Sequence, residues 1–380
     1  MSNFANEIPS RLAMMENDKN IIFHVPLKLD RQHASASQIR PLKMMEAFKK
    51  IGYHVDVIEG EGKNRKTQIR QIKHKILQGT HYDFMYSESS TMPTLLTEKH
   101  HLPLYPLLDF NFFHFCQKHN IPIGLFYRDI HWCFINKNKD WKQRIAKFFY
   151  QYDLTQYQKV VDILFLPSAE MLPHIPFHFE NKKIIPLPPG CEIQENQYTS
   201  VTDSLNLLYV GGIGGNYDLT LLLQAVSRCP YTHLTICCRK DDWLKVADTY
   251  APLLTDNISI EHKQPLELAD LYGQAHLFAL FFQNDYWKFA APLKLFETIG
   301  YKIPLLVAGN TWAGQFIKDE KIGYTIDYNL DTLIEKLQYL QQNHDELRQI
   351  HRNLCAIASL NTWECRAQKV ADELTTIQTK

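Results

Sequence analysis

Short apolar segments rich in β-branched and aromatic residues recur along the chain, each followed by a longer stretch of helical period. Such runs are typical of strands buried on both faces of a parallel sheet, with helices as the connections. In the first half the pattern predicts strands at 20–25, 53–58, 82–86, 121–127, 161–166 and 183–187. In the second half it predicts strands at 206–211, 233–238, 258–262, 276–282, 303–308 and 323–327.

The length and the spacing of these segments predict two domains. The 380 residues exceed the roughly 250–300 residues at which single cores stop growing. The proline-rich and polar stretch around 186–204 is the best linker. We therefore expect the following division: a domain over 1–190, a linker over 191–204, a domain over 205–361 and a terminal helix over 362–380. Each domain is predicted to be an α/β, Rossmann-like, doubly wound unit, and the two are predicted to face a cleft.

Charge is divided unevenly between the two halves. Residues 1–190 carry 25 Lys and Arg against 18 Asp and Glu, a balance of +7, and the rest carries −7. The segments 62–82 and 137–153 hold many of these cations, and they are read either as contacts to anionic lipid or as solvated helix faces. The first half is therefore expected to meet an anionic partner.

The sequence favours a cytoplasmic protein. No signal-peptide core and no apolar run of about 18 residues is present. Eight cysteines without C-x-x-C spacing fit reduced thiols.

A glycine-rich loop follows the first strand of the second half. It contains Gly211, Gly212, Ile213, Gly214 and Gly215. Glycines at this place allow a backbone to approach a phosphate, and the helix that follows would present free N–H groups to it. A tight strand-to-helix turn explains the same residues equally well.

Two groups of charged residues are predicted at the same rim. Arg239 and Lys240 follow the next strand, and a guanidinium there could neutralise a diphosphate, although for Lys240 a solvated turn is favoured. Lys294 and Glu297 share one face of a helix that begins near Pro292. Lysine there suits phosphate, and a carboxylate can accept both hydroxyls of a ribose, whereas the plain alternative is a surface ion pair.

The second half resembles that of GT-B glycosyltransferases of the retaining family-4 type. In these enzymes a P-x-K-x-x-E segment before G-x-P holds a nucleotide sugar, and the match here runs from Pro292 to Glu297 and then to Pro304. The resemblance implies that Glu297 binds the donor ribose and that Lys294 binds the diphosphate or the sugar.

The match to that family has two departures. Phe289 stands where the family has the first glutamate of an E-x7-E pair, and the glycine loop lacks the family's arginine and lysine. Arg239 with Lys294 is our hypothesis for the missing charge.

The first half resembles the same family. Residues 34–60 look like its opening loop and helix, which makes Ser37 and Arg40 candidates for acceptor or sugar contact. Residues 121–132 end a predicted strand in Arg128, Asp129 and His131, and Arg128 is a third candidate for acceptor or sugar contact. The resemblance places a histidine near here in the sugar pocket, so Asp129 or His131 is the candidate for contacting the transferred sugar or acceptor, although lone histidines are usually structural.

These observations predict a glycosyltransferase that moves a sugar from a nucleotide-diphosphate sugar to a glycan, lipid-linked or other acceptor. The expected catalytic residues are Lys294, Asp129 and His131. Retention of configuration follows from the resemblance alone. No Asp-x-Asp motif is present, so neither metal nor other cofactor is expected, and no nucleic-acid partner is expected. A sugar-nucleotide epimerase or hydrolase, or a non-catalytic sugar-binding subunit of the same fold, remains an alternative.

Overall fold

The computed structural model describes residues 19–30, 36–134, 141–195, 199–264 and 267–378. Within these residues, strands form two parallel six-stranded sheets, in the orders β2-β1-β3-β4-β5-β6 and β12-β11-β10-β7-β8-β9. The first sheet comprises β1 Asn20–His24, β2 His54–Ile58, β3 Phe84–Glu88, β4 Ile123–Phe126, β5 Ile163–Leu166 and β6 Lys183–Pro186. The second comprises β7 Leu205–Val210, β8 Thr232–Cys237, β9 Ile258–Glu261, β10 Leu277–Leu280, β11 Leu305–Ala308 and β12 Gly323–Ile326.

Helices connect the strands and cover both faces of each sheet. The first half contains α1 Ala36–Lys50, α2 Gly62–Leu77, α3 Leu108–Lys118 and α4 Trp141–Val160. The second half contains α5 Thr220–Val226, α6 Lys240–Tyr250, α7 Leu268–Gln274, α8 Leu293–Tyr301, α9 Trp312–Glu320, α10 Leu330–Gln342, α11 Asp345–Ala358 and α12 Trp363–Gln378. The predicted fold class, two Rossmann-like α/β units, is confirmed, and every predicted strand overlaps an observed one.

The first sheet is covered differently on its two faces. Helices α2, α3 and α4 pack on one face through apolar residues such as Ile69, Phe113 and Leu154. Helices α1 and α12 pack on the other through residues such as Phe48 and Leu374. The C-terminal helix therefore lies on the first sheet although it follows the second in sequence.

Two chain segments cross between the sheets side by side. Cys191 N donates to Asn361 O at 2.8 Å, and Cys191 forms a parallel bridge with Thr362. Gly190 is required at this crossing because a Cβ there would lie 2.6 Å from Trp363 N.

Loops at the carboxyl ends of the two sheets contact each other. Tyr286, which follows β10, donates its hydroxyl to Asp129 Oδ2 at 3.2 Å, and Asp129 follows β4. Ser168, which follows β5, donates to Phe289 O at 2.6 Å. The carboxyl ends of parallel strands are where doubly wound sheets bind ligands, so these loops delimit the region in which a site is expected.

Candidate functional site

The first turn of α8 carries a lysine and a glutamate in contact. Lys294 Nζ lies 2.7 Å from Glu297 Oε2, and Tyr272 donates its hydroxyl to Glu297 Oε1 at 3.2 Å. Pro292 immediately precedes the helix. Proline has no backbone N–H, and at this position the helix needs none. The side chains of Lys294 and Glu297 are 25% and 29% exposed. The pair is therefore accessible to solvent. The hydroxyl of Tyr272, a residue that sequence reasoning missed, holds the Glu297 carboxylate in position.

The pair lies near the carboxyl end of β8. Burial raises the pKa of the Cys237 thiol, and the Lys294 ammonium opposes this increase. Cys237 is the last residue of β8, and the exposed Arg239 follows two residues later, immediately before α6. Lys294 lies in the helix after β10 and Arg239 follows β8 of the same parallel sheet, so the two cations belong to one rim.

Local packing accounts for the glycines of the loop after β7. Gly214 and Gly215 have φ angles of 81° and 59°, which a turn closed by Tyr217 requires. A Cβ on Gly211 would lie 3.0 Å from the Tyr209 hydroxyl, and one on Gly212 would lie 3.2 Å from the Tyr217 ring. Helix α5 begins only at Thr220, so the loop does not open directly into a helix as the pattern indicated. Phosphate binding by Gly211, Gly212 and the buried Ile213 stays a prediction.

Two sequence-predicted residues lie together after β4. His131 donates its backbone N–H to Asp129 Oδ1 at 3.0 Å, and its Nδ1 lies 3.6 Å from Asp129 Oδ2. Tyr286 donates to the same carboxylate from the other half of the chain. This arrangement places one carboxylate and one imidazole at the contact between the two halves. Tyr286 was missed because its partner is 157 positions away in the sequence.

The other first-half candidates lie deeper than expected. Arg128 donates from Nη2 to Glu88 Oε2 at 2.9 Å, and Arg40 Nε lies 3.3 Å from Glu88 Oε1. Glu88 is fully buried. Ser37 lies in the first turn of α1, and its side chain is outside the described residues. Arg40 and Arg128 are thus brought together by a glutamate that the sequence did not single out.

A second buried ionic network lies beside this region. His24 Nε2 lies 3.0 Å from Asp109 Oδ1, and Arg65 donates to both oxygens of Asp109. Burial opposes ionisation of Asp109, but Arg65 and His24 lower its pKa to about 2. Arg65 belongs to the basic segment 62–82, which both interpretations of the sequence place at the surface, yet it is only 2% exposed. Its charge can be buried because Asp109 pairs with it inside the first domain.

Phe289, the departure from the family pattern, is an interdomain contact. Its side chain is 2% exposed and belongs to the apolar cluster of the first sheet, although the residue follows β10 of the second. The ring stacks on Phe134 at 5.4 Å and lies 5.0 Å from the His174 ring. A glutamate at this position would bury a charge among aromatic rings.

Metal-binding clusters and membrane-spanning helices are both absent from the described residues. No group of three or more His, Cys, Asp or Glu side chains that could hold a metal ion occurs in the described ranges. No helix among these residues is long and apolar enough to cross a membrane. The eight cysteines, all of them in the described ranges, are free thiols.

Comparison with known proteins gives structural matches only. No family model matches the chain, and no curated protein matches its sequence. Solved structures match over nearly the whole chain. Sucrose-phosphate synthase from Thermosynechococcus elongatus has a TM-score of 0.66 at 12% identity, with 94% of this chain and 99% of that one covered. WaaG, a glycosyltransferase involved in lipopolysaccharide biosynthesis, has a TM-score of 0.62 at 14% identity, with 93% and 99% covered.

A third solved structure contains a bound nucleotide sugar. HepE from Anabaena in complex with UDP-glucose has a TM-score of 0.60 at 13% identity, with 94% of this chain and 99% of that one covered. The two sheets, the terminal helix and these matches define the fold of this chain as GT-B. At such low identity the matches establish the fold and not the activity.

Proposed function

We propose that the protein is a glycosyltransferase whose nucleotide-diphosphate sugar binds at the carboxyl rim of the second sheet. The observation that carries this proposal is the Lys294 and Glu297 pair on the first turn of α8, within a GT-B fold. The ion pair is partly exposed, and such pairs contribute only about 0–1 kcal/mol, so a ligand can separate the two groups at little cost. UDP-glucose bound to HepE supports this class of donor.

Each member of the pair has a defined role in the proposal. The Glu297 carboxylate accepts the ribose hydroxyls, and Tyr272 keeps one of its oxygens in place. Lys294, assisted by Arg239, stabilises the negative charge that develops on the departing diphosphate. Because these cations supply positive charge, the proposed reaction requires no metal ion.

The first domain supplies the second substrate site. We assign the acceptor, a glycan or lipid-linked glycan, to the region of Asp129 and His131, where a carboxylate and an imidazole adjoin the interdomain contact. Closure of the two domains around the donor and acceptor excludes water that would hydrolyse the donor. Retention of anomeric configuration is proposed from the family resemblance of the P-x-K-x-x-E segment.

Donor binding is tested by calorimetry and thermal unfolding with UDP-, GDP-, ADP-, TDP- and CMP-sugars, with and without EDTA. A ligand at ~100 times its Kd is expected to stabilise the folded protein by about 2.7 kcal/mol. One nucleotide class is expected to bind irrespective of EDTA. Glu297→Ala is expected to weaken it at least tenfold, while the exposed Glu335→Ala leaves it unchanged. If no nucleotide sugar binds, or if both variants bind equally, the proposed function is wrong.

We further propose that the acceptor is reached at an anionic membrane surface on the cytoplasmic side. Three leucines between β3 and α3 are more than half exposed: Leu102, Leu104 and Leu107. Exposed Lys63 and Lys66, in the first turns of α2, add positive charge to the same carboxyl end of the first sheet. Co-sedimentation with vesicles containing phosphatidylserine should exceed that with neutral vesicles, and Leu104→Asp should reduce it. Equal co-sedimentation with neutral vesicles would exclude this contact.

A further inference from the structure

Three buried or largely buried arginines meet where α1, the loop after β4 and α12 come together. They are Arg40, Arg128 and Arg366, called the arginine cluster below. The side chains of Arg40 and Arg128 are 5% and 10% exposed. Arg40 and Arg128 pair with the two oxygens of the same carboxylate, that of Glu88, and Arg40 also acts electrostatically on Arg366, so Arg40 lies between the other two. Helix α8 adjoins this region, because Leu293 packs against the apolar cluster that contains Trp363, and Arg40 lies over the Trp363 ring.

The cluster holds more positive charge than its neighbours neutralise. Glu88 is the buried carboxylate that pairs with Arg40 and Arg128. Arg366 donates to the carbonyls of Pro188 and Pro189 and to Asn361 Oδ1, all of which are neutral acceptors. Burial lowers the pKa of Arg366 to about 10, and the charge of Arg40 adds to the decrease.

Asp129 is a second acidic group that acts on the cluster. It acts on Arg128 electrostatically, but its oxygens accept from Tyr286 and from the backbone of His131. Among the residues that the structure describes, Glu88 and Asp129 are the carboxylates that act on the three arginines, which leaves one guanidinium charge without a carboxylate partner. Burial of a charge without a counter-charge is strongly unfavourable.

The hydrogen bonding of the cluster is also incomplete. Arg40 Nε lies 3.3 Å from Glu88 Oε1, but none of the three guanidinium nitrogens of Arg40 forms a hydrogen bond of good geometry among the described residues. The Arg40 guanidinium lies 3.5 Å above the Phe126 ring. Arg128 donates from Nε to Ser89 O and from Nη2 to Glu88, and no hydrogen bond from its Nη1 occurs in the described ranges. Arg128 is therefore the member of the cluster that can donate to a ligand in the cleft.

We infer that the arginine cluster binds a phosphate-type oxyanion, with Arg128 in contact with it and with Arg40 and Arg366 adding positive charge to the region. A guanidinium fork matches the geometry of phosphate oxygens, and Arg is the residue that binds them bidentately. This inference rests on the proposed function. The oxyanion belongs either to the donor diphosphate or to a phosphate on the acceptor, since the cluster lies beside both α8 and Asp129.

The inference is tested by titrating the full chain with inorganic phosphate and pyrophosphate at constant ionic strength, with chloride as the reference salt. Phosphate is expected to raise the midpoint of thermal unfolding, and Arg128→Gln is expected to lower phosphate affinity at least tenfold. Arg128→Lys keeps the charge but loses the fork, so an intermediate affinity is expected. Arg228→Gln, an exposed arginine after α5, is the matched control and should bind as the unaltered protein does.

Two results would overturn the inference. One is a chain that phosphate and pyrophosphate stabilise no more than chloride does. The other is equal phosphate binding by Arg128→Gln, by Arg128→Lys and by the unaltered chain. Should Arg128→Gln not fold, Arg128→Lys together with Arg40→Met, which retains an apolar stack on Phe126, decides the same question.

Competition distinguishes the two sources of the oxyanion. If a nucleoside diphosphate displaces phosphate, the cluster binds the donor diphosphate. If phosphate and the nucleotide bind together and their increases in the unfolding midpoint add, the cluster binds a phosphate of the acceptor. Failure of phosphate binding with intact, Glu297-dependent nucleotide-sugar binding would remove this inference and leave the proposed function standing. If phosphate binds but no nucleotide sugar does, the proposed function is wrong.

Discussion

Asp153 shows how one buried residue sets a pH dependence. Its Oδ2 accepts from Thr94 N at 2.7 Å, whereas no hydrogen-bond partner for its Oδ1 occurs among the described residues. Burial raises the pKa of Asp153 from the ordinary 3.8 to about 7, against the opposing hydrogen bond from Thr94. The folded protein therefore holds a proton at this carboxyl group that the unfolded chain has already released.

The expected consequence is a loss of stability as pH rises from about 4 to 7, by at most ~1.4 kcal/mol per pH unit. Asp153→Asn carries no such proton, so its free energy of unfolding should increase relative to the unaltered protein across this window and stay level above it. Urea unfolding at pH 5, 6, 7 and 8 measures the difference. Asp241→Asn, which changes an exposed acid, is the control. A difference independent of pH would contradict the raised pKa.

At the scale of elements, the segment 284–289 joins the two domains. Asn284 caps its short 3₁₀ helix by accepting from the backbone N–H groups of Tyr286 and Trp287. This cap fixes the direction in which Tyr286 reaches Asp129 and Phe289 enters the apolar cluster of the first sheet. The segment, which lies in the loop after β10, thus positions both residues that contact the first domain.

Phe289→Ala is expected to destabilise the protein by about 3–5 kcal/mol, the usual effect of removing a buried aromatic ring. Because the ring lies between the domains, the variant should also show a larger radius of gyration by small-angle X-ray scattering. Phe148→Ala removes a phenylalanine that is 63% exposed and should change neither quantity. A destabilised variant of unchanged size would mean that Phe289 serves packing without holding the domains together.

The same segment shows what the residue pattern could not indicate. The sequence identified Phe289 as a departure from the family motif, but nothing local revealed that its ring inserts into the other domain, because Phe134 and His174 are far away in sequence. Position 289, where the family has the first glutamate of its E-x7-E pair, therefore carries a packing residue and no carboxylate. Asp129 is the carboxylate that the interdomain contact brings to this region.

At the scale of the whole molecule, the paired crossover segments determine how the domains are joined. Cys191 and Trp363 exchange backbone hydrogen bonds with the neighbouring segment, and α12 then packs on the first sheet. Gly124 makes room for this helix, because a Cβ there would lie 2.8 Å from Leu374 Cδ1. The boundaries at 190, 204 and 361 stay predictions, since contacts by themselves do not define independently folding units.

Gly190→Ala is expected to separate the two crossover segments, because the new Cβ would meet backbone rather than a movable side chain. We expect a lower unfolding midpoint and faster amide hydrogen exchange at residues 190, 191 and 363. Gly273→Ala, in α7 with nothing near its Cβ, should be neutral or stabilising by about 0.5–1 kcal/mol. Equal exchange rates in Gly190→Ala and the unaltered chain would contradict a tight crossing.

The sequence by itself determined the twelve strands, the α/β class and the Lys294 and Glu297 pair, because each depends on spacing within one or two elements. Hydrophobic periodicity and helical i, i+3 geometry depend only on residues close together in the sequence, so they can be predicted from the sequence alone. Tertiary structure alone decided the arginine cluster, the burial of Arg65 and the insertion of Phe289. Each of these depends on a partner brought from another element, and the energy of a charge or a ring is set by what surrounds it after folding.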